Sequence, residues 1–232
     1  MKMKLFATSA ILLAVFSLAG PLLANQTETT APSKADFLKK SRKMHVPFIV
    51  NQGQIDGRVR YYASTFGGTV FVIHTGNIVY LLPGVKDADI FSRNGASIRG
   101  VALEEEIFGG KIETISGEGK ATTTVNYLKG NDPSQWKTDI STYETVSLGE
   151  IYKGVTLKLR AYGNNVEKLF YLAPGASPAL IKMKLNGAES LRVNDGGALE
   201  VLTEPGIVTF TKPYAYQEIA GERRTVEAAY FL

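Results

Sequence analysis

The 232-residue chain contains no cysteine, which excludes a disulfide scaffold, a cysteine-ligated zinc site, a thiol nucleophile and a bacterial lipoprotein's lipidated cysteine. Only two histidines are present, His45 and His74, too few for a histidine-rich metal centre. There is a single tryptophan, Trp136. Beyond the N-terminus no apolar run approaches the roughly 20 residues a membrane-spanning helix needs. G-x-S-x-G, H-E-x-x-H, a phosphate loop and a dinucleotide fingerprint are all missing, so no reaction is marked by local spacing. What is present is globular: 44% hydrophobic, 10% aromatic and 21% charged residues, ample for one packed core.

Residues 1–24 read as a secretory signal peptide. Lys2 and Lys4 form a basic start, residues 5–18 are almost wholly apolar, and the segment ends on the small Ala24 after Gly20-Pro21. Cleavage is expected before Asn25, with the bond after Ala19 as the alternative. The formal charge of +4 then falls to +2, because the two lysines leave with no acid among them. The expected location is periplasmic, cell-surface or extracellular, with no transmembrane segment after cleavage and no nucleic-acid partner. Residues 25–46 read as a flexible polar leader and one short helix, opened by Ser33 and Asp36 and ended by Pro47. Its Lys39-Lys40 and Arg42-Lys43 read as a solvated basic face.

From residue 47 onward the pattern switches to period two, with turn residues every eight to twelve positions. In residues 155–162, Val155, Leu157, Leu159 and Ala161 alternate with Thr156, Lys158, Arg160 and Tyr162. Three hairpins follow from their turns: residues 155–172 around Gly163-Asn164-Asn165, residues 69–82 around Thr75-Gly76-Asn77, and residues 191–202 around Asp195-Gly196-Gly197. Further strands are expected at 58–63, 111–115, 122–128, 142–148, 181–185, 207–211 and 225–231, with loops at 86–95 and 104–110. The fold class is therefore all-β, a mainly antiparallel β-sandwich over residues 47–232 with one short N-terminal helix. Because the alternation of residues 225–231 runs to Leu232 with no turn after it, the domain is expected to be cut short at its C-terminus.

Candidate functional residues are few. Glu104-Glu105-Glu106 point to alternate sides of an extended chain and read as a solvated loop, not a cation site. Asp87 and Asp89 lack the glycine and glutamate of a calcium loop, so neither metal nor cofactor is expected. Tyr61-Tyr62 place one ring on each face of a strand, so one is expected to be exposed and could stack on a sugar. Asp132 as cap and Pro133 at the first position predict a single helical turn that carries Trp136 inward as a core plug. Pro174-Gly175 predict a turn.

Several segments together resemble a domain of large secreted bacterial proteins that lies N-terminal to tandem beta-propeller-type repeats and has no assigned activity. They are Asn51-Gln52-Gly53-Gln54, residues 59–63 with 65–71, Asn126-Tyr127 with Gly130-Asn131-Asp132-Pro133 and Trp136, Tyr143, Tyr152 with Gly154-Val155 and Leu157, Tyr162-Gly163, Ala173-Pro174-Gly175-Ala176 before Pro178 and Ile181, and Pro213, Tyr216-Gln217 and Gly221. The sequence departs from that pattern at Glu167-Lys168-Leu169-Phe170, where Glu-Tyr-Asp-Phe would stand. The resemblance implies an uncharacterised cell-surface module with downstream repeats of the same polypeptide as neighbours. The expected function is an exported non-enzymatic interaction or assembly module. The alternatives are a carbohydrate-binding module, marked by an exposed row of rings, and a glycan-active hydrolase, marked by two carboxylates across a cleft.

Overall fold

The computed structural model describes residues 2–5, 44–82, 101–163, 165–204 and 206–232. Its strands are β1 (Lys2–Leu5), β2 (His45–Val46), β3 (Phe48–Val50), β4 (Val59–Thr65), β5 (Gly68–Ile73), β6 (Ile78–Leu82), β7 (Val101–Ile107), β8 (Ser116–Tyr127) and β9 (Lys137–Tyr152). They continue as β10 (Val155–Tyr162), β11 (Asn165–Leu172), β12 (Met183–Asn186), β13 (Ser190–Val193), β14 (Leu199–Thr203), β15 (Gly206–Phe210), β16 (Ala215–Ile219) and β17 (Glu222–Val226). Two 3₁₀ turns, Pro133–Gln135 and Pro178–Leu180, are the helical elements among the described residues.

The main sheet runs β12-β7-β6-β5-β4-β3-β9-β10-β11-β1-β16-β17, with β2 joined to β10 and β8 to β9; β13, β14 and β15 form a separate sheet. The hairpin pairings are antiparallel, as short turns require. The all-β class is as the alternation predicts. The two layers, however, are halves of one continuous sheet. Inward residues of β4 to β7 (Tyr61, Ala63, Val70, Val72, Ile78, Tyr80, Leu103) share one core with those of β9 to β11 (Val146, Leu148, Leu157, Leu159, Phe170, Leu172). The sheet therefore curls until its faces meet. The small sheet adds the fully buried Val201 and sets Phe210 edge-on to Tyr80, with ring centroids 5.8 Å apart.

Turn chemistry fixes the hairpins. Between β13 and β14 the Asn194 side-chain oxygen accepts from the amides of Gly196 and Ala198, each at 3.0 Å, and Gly197 follows with φ at 80°. Between β5 and β6 the Gly76 amide donates to Ile73 O at 2.8 Å. After β11, Pro174 and Gly175 (φ 81°) form the turn that Ala176 closes by donating to Ala173 O at 3.1 Å, the arrangement of a type II turn.

Five expectations are corrected. The strand expected at 225–231 ends at Val226, the last residue of β17. His45 and Val46 are extended, not helical: both pair with β10, and Pro47 disfavours the α region at Val46; the rest of the expected helix, like the 86–95 loop, lies outside the described residues. Residues 111–115 form no ladder, and pairing begins only at Ser116, although Ile112 and Ile115 still pack on the core. Residues 104–107 are strand, not loop, because Glu105 finds partners inside the core. Trp136 is 38% exposed instead of plugging the core: it caps the 3₁₀ turn, and its indole N–H donates to Gly130 O at 3.1 Å. Asp132 does cap that turn, accepting from the Ser134 amide at 2.9 Å; the Ser134 side chain first, and then this amide, lower its pKa by hydrogen bonding.

Candidate functional site

The two tyrosines singled out for sugar stacking are both buried, at 7% and 8% exposure. Tyr61 faces the core, meets Tyr143 edge-on and accepts a 2.9 Å hydrogen bond from the Gly117 amide. Tyr62 lies on the other face but is covered by Phe71, 6.4 Å away between centroids, and by the Gln54 amide group. The expectation of one exposed ring fails because the loop before β4 folds back over it. Asn51 organises that loop, its side chain donating to Asp56 O and Val59 O at 2.9 Å and accepting from the Gly53 amide at 3.0 Å. The Asn51-x-Gly53-Gln54 motif is thus the staple of a loop.

The histidines are equally local. His45 rests edge-on against Tyr162, and His74 Nε2 lies 2.9 Å from Gly57 O. Among the described residues no three histidine or acidic side chains come together as a metal site would require.

Two features do stand out. The first is an interior polar cluster. Glu105 on β7, 5% exposed, takes a hydrogen bond from the Tyr80 hydroxyl at 2.7 Å on one oxygen and the ammonium of Lys168 on the other. Lys168 comes from β11, far along the sheet order, and its nitrogen lies 4.7 Å from the centre of the Phe210 ring. Burial, then the charge of Glu105, pushes the Tyr80 hydroxyl well above its ordinary pKa; the same two causes push Tyr230 up to about 12. Among the described residues every buried side-chain nitrogen and oxygen has a hydrogen-bond partner. The cluster spends its charges on holding the curled sheet together. Sequence reading missed it, although Val101, Leu103, Glu105 and Ile107 share one phase of the alternation, which places Glu105 inward.

The second feature is the outer face of β5, β6 and β7. In a half-buried sheet this face should be polar. Here it carries Phe71 and Ile73, Val79 and the 48%-exposed Leu81, and Ala102. Phe71 pairs in register with Val79, and Leu81 with Ala102. Phe71, Ile73, Val79 and Ala102, with Ile55, Asn186 and Gly187, line a groove of about 630 Å³. Its rim is charged: Arg58 forms an exposed ion pair with Asp56 at 2.8 Å, and its hydrogen bonds hold the Asp56 carboxyl at about 2. On the opposite rim Glu104 accepts from Asn77 at 2.7 Å. The floor is apolar and its border is charged.

Curled all-β architecture, loop staples built on Asn51 and Asp132, and an apolar outer face define an all-β module. The chain belongs to the family described as Domain of unknown function (DUF7948), which matches residues 48–232. No curated protein and no solved structure matches the chain.

Proposed function

We propose that this chain is an exported, non-catalytic β module of a larger secreted or cell-surface protein, acting in interaction or assembly. The observation that carries the reading is the apolar outer face of β5, β6 and β7, which an isolated sheet would present to water at a cost of roughly 25 cal/mol per Å² left uncovered. The basic start and apolar run of residues 2–18 support export. The resemblance to domains preceding propeller-type repeats supports a neighbour in the same polypeptide as the natural cover. Among the described residues no helix is long and apolar enough to cross a membrane.

The test is a tagged full chain expressed in a secreting bacterium. Export with a new N-terminus at Asn25, and retention on the cell surface that the Phe71→Ser/Val79→Ser variant loses while keeping its far-UV spectrum, is the expected result. An unprocessed cytoplasmic chain, or equal retention of the variant, overturns the reading.

A further inference from the structure

Strand β1 occupies an unusual place. Its four residues lie inside the segment that reads as a signal peptide, yet they pair on both sides within the main sheet. On one edge Met3 pairs with Leu172, Lys4 with Tyr171 and Leu5 with Phe170; on the other, Lys2 pairs with Glu218, Met3 with Gln217, Lys4 with Tyr216 and Leu5 with Ala215. Both pairings are antiparallel. Among the described residues β1 is also the sole link between the β16–β17 hairpin and the rest of the main sheet.

Without β1, β11 and β16 would stand about 9 to 10 Å apart, two strand spacings, with facing rows of unpaired backbone N–H and C=O groups. The slot's walls are built as interior: Leu172, Phe170, Ala215 and Tyr216 are 2%, 6%, 2% and 3% exposed. Signal-peptide cleavage would remove the strand that pairs with both walls. We infer that the slot between β11 and β16 is a strand-acceptor site, filled in the processed protein by an extended segment of a partner that adds to the sheet by β-augmentation. This rests on the exported-module reading above.

The register states what the partner must look like. Positions beside Leu172 and Phe170 share the core face and take apolar residues, as Met3 and Leu5 do in sequence. The position between Tyr171 and Tyr216 takes a cation. In the resident strand that position is Lys4, which pairs with Tyr171 on one side and Tyr216 on the other. The position beside Glu218 is also basic in the resident strand. The occupant is therefore an extended peptide reading basic-apolar-basic-apolar, antiparallel to both neighbours.

The experiment uses the full chain made without export, so that residues 2–5 are retained, and its Met3→Pro/Leu5→Pro variant, in which proline blocks the resident ladder. The probe is a fluorescent peptide with the sequence of residues 1–8, and the control exchanges its basic and apolar positions. Saturable binding to the variant, about tenfold tighter than the control peptide and weak to the unsubstituted chain, is expected. No saturable binding to a variant that still unfolds cooperatively, or equal binding of the control, overturns the slot. Hydrogen exchange on the unsubstituted chain guards against a variant that fails to fold. Protection of amides in residues 2–5 and 215–219 supports the slot, and exchange there at free-peptide rates refutes it. The export experiment reads separately: an exported chain that binds no peptide removes the slot alone, and a peptide-binding chain that is not exported removes the module reading.

Discussion

The hydroxyl of Tyr80 donates a 2.7 Å hydrogen bond to Glu105 in the interior, and the other oxygen of that carboxylate holds Lys168 from the opposite layer. Two hydrophobic layers pressed together by area alone could slide. A directional pair that must be satisfied fixes where β7 lies against β11. Removing one partner leaves a charge in a site where water cannot replace it, since the Lys168 side chain is only 15% exposed.

Glu105→Leu is accordingly expected to destabilise the fold by about 3 kcal/mol, and Glu105→Leu/Lys168→Met to regain most of it, because an apolar pair of similar volume replaces a buried ion pair with little loss. Urea denaturation of both variants checks this. A single variant within about 1 kcal/mol of the parent would contradict it.

The same cluster sets an alkaline limit. Tyr230, whose hydroxyl donates to Thr211 O at 3.0 Å, keeps its proton up to about 12 in the folded chain, and Tyr80 is raised as well, chiefly by burial. In the unfolded chain both phenols ionise near 10. Between those values the native state binds more protons, so their stabilisation is complete below pH 10 and is lost as pH rises toward 12. Absorbance at alkaline pH should show late tyrosine ionisation that Tyr230→Phe removes in part, with a shallower fall of melting temperature above pH 10. An unchanged titration curve would refute the assignment.

The legible parts of this fold are those decided within a few residues. Gly76, Gly196-Gly197 and Gly175 specify turns on their own, so hairpins and strand alternation follow directly from sequence. That neither ring of Tyr61-Tyr62 is exposed has no local signal, because the cover of Tyr62, Phe71 and Gln54, comes from a neighbouring strand and a loop stapled by Asn51. Glu105 was hidden by its flanking acids, and its partner Lys168, standing where the resemblance expects tyrosine, is 63 residues away in sequence. The curling of the sheet rests on long-range neighbours such as β3 with β9 and β7 with β12, which leave no spacing to read.

Trp136 is expected to matter little for stability. With the indole 38% exposed and one hydrogen bond to Gly130 O, Trp136→Ala should cost about 1 kcal/mol, not the 3 to 5 of a buried aromatic. Thermal unfolding measures this directly. A loss above about 3 kcal/mol would show that the ring supports more than its own turn.

Gly117 should matter far more than its size suggests. It is the second residue of β8, its amide donates 2.9 Å to the Tyr61 hydroxyl, and Tyr61 in turn meets Tyr143 with centroids 5.9 Å apart and planes at 87°. A Cβ at this position would lie 2.3 Å from Tyr143 Cγ and 2.5 and 2.6 Å from its two Cδ atoms, so the ring itself would have to move. Displacing it breaks the edge-to-face pair and shifts the backbone that holds Tyr61, adding the loss of an aromatic contact to the strain of overpacking. Gly117→Ala is therefore expected to cost about 3 kcal/mol and to alter the near-UV tyrosine signal. In a Tyr143→Leu background, where the smaller side chain leaves room, the same substitution should cost about 1 kcal/mol or less. Gly53→Ala is the comparison: its φ of 96° is strained for alanine, yet a Cβ there meets nothing within 4 Å, so its loss should be smaller and indifferent to Tyr143. Equal costs of Gly117→Ala in both backgrounds would show that the Tyr143 ring yields without resistance.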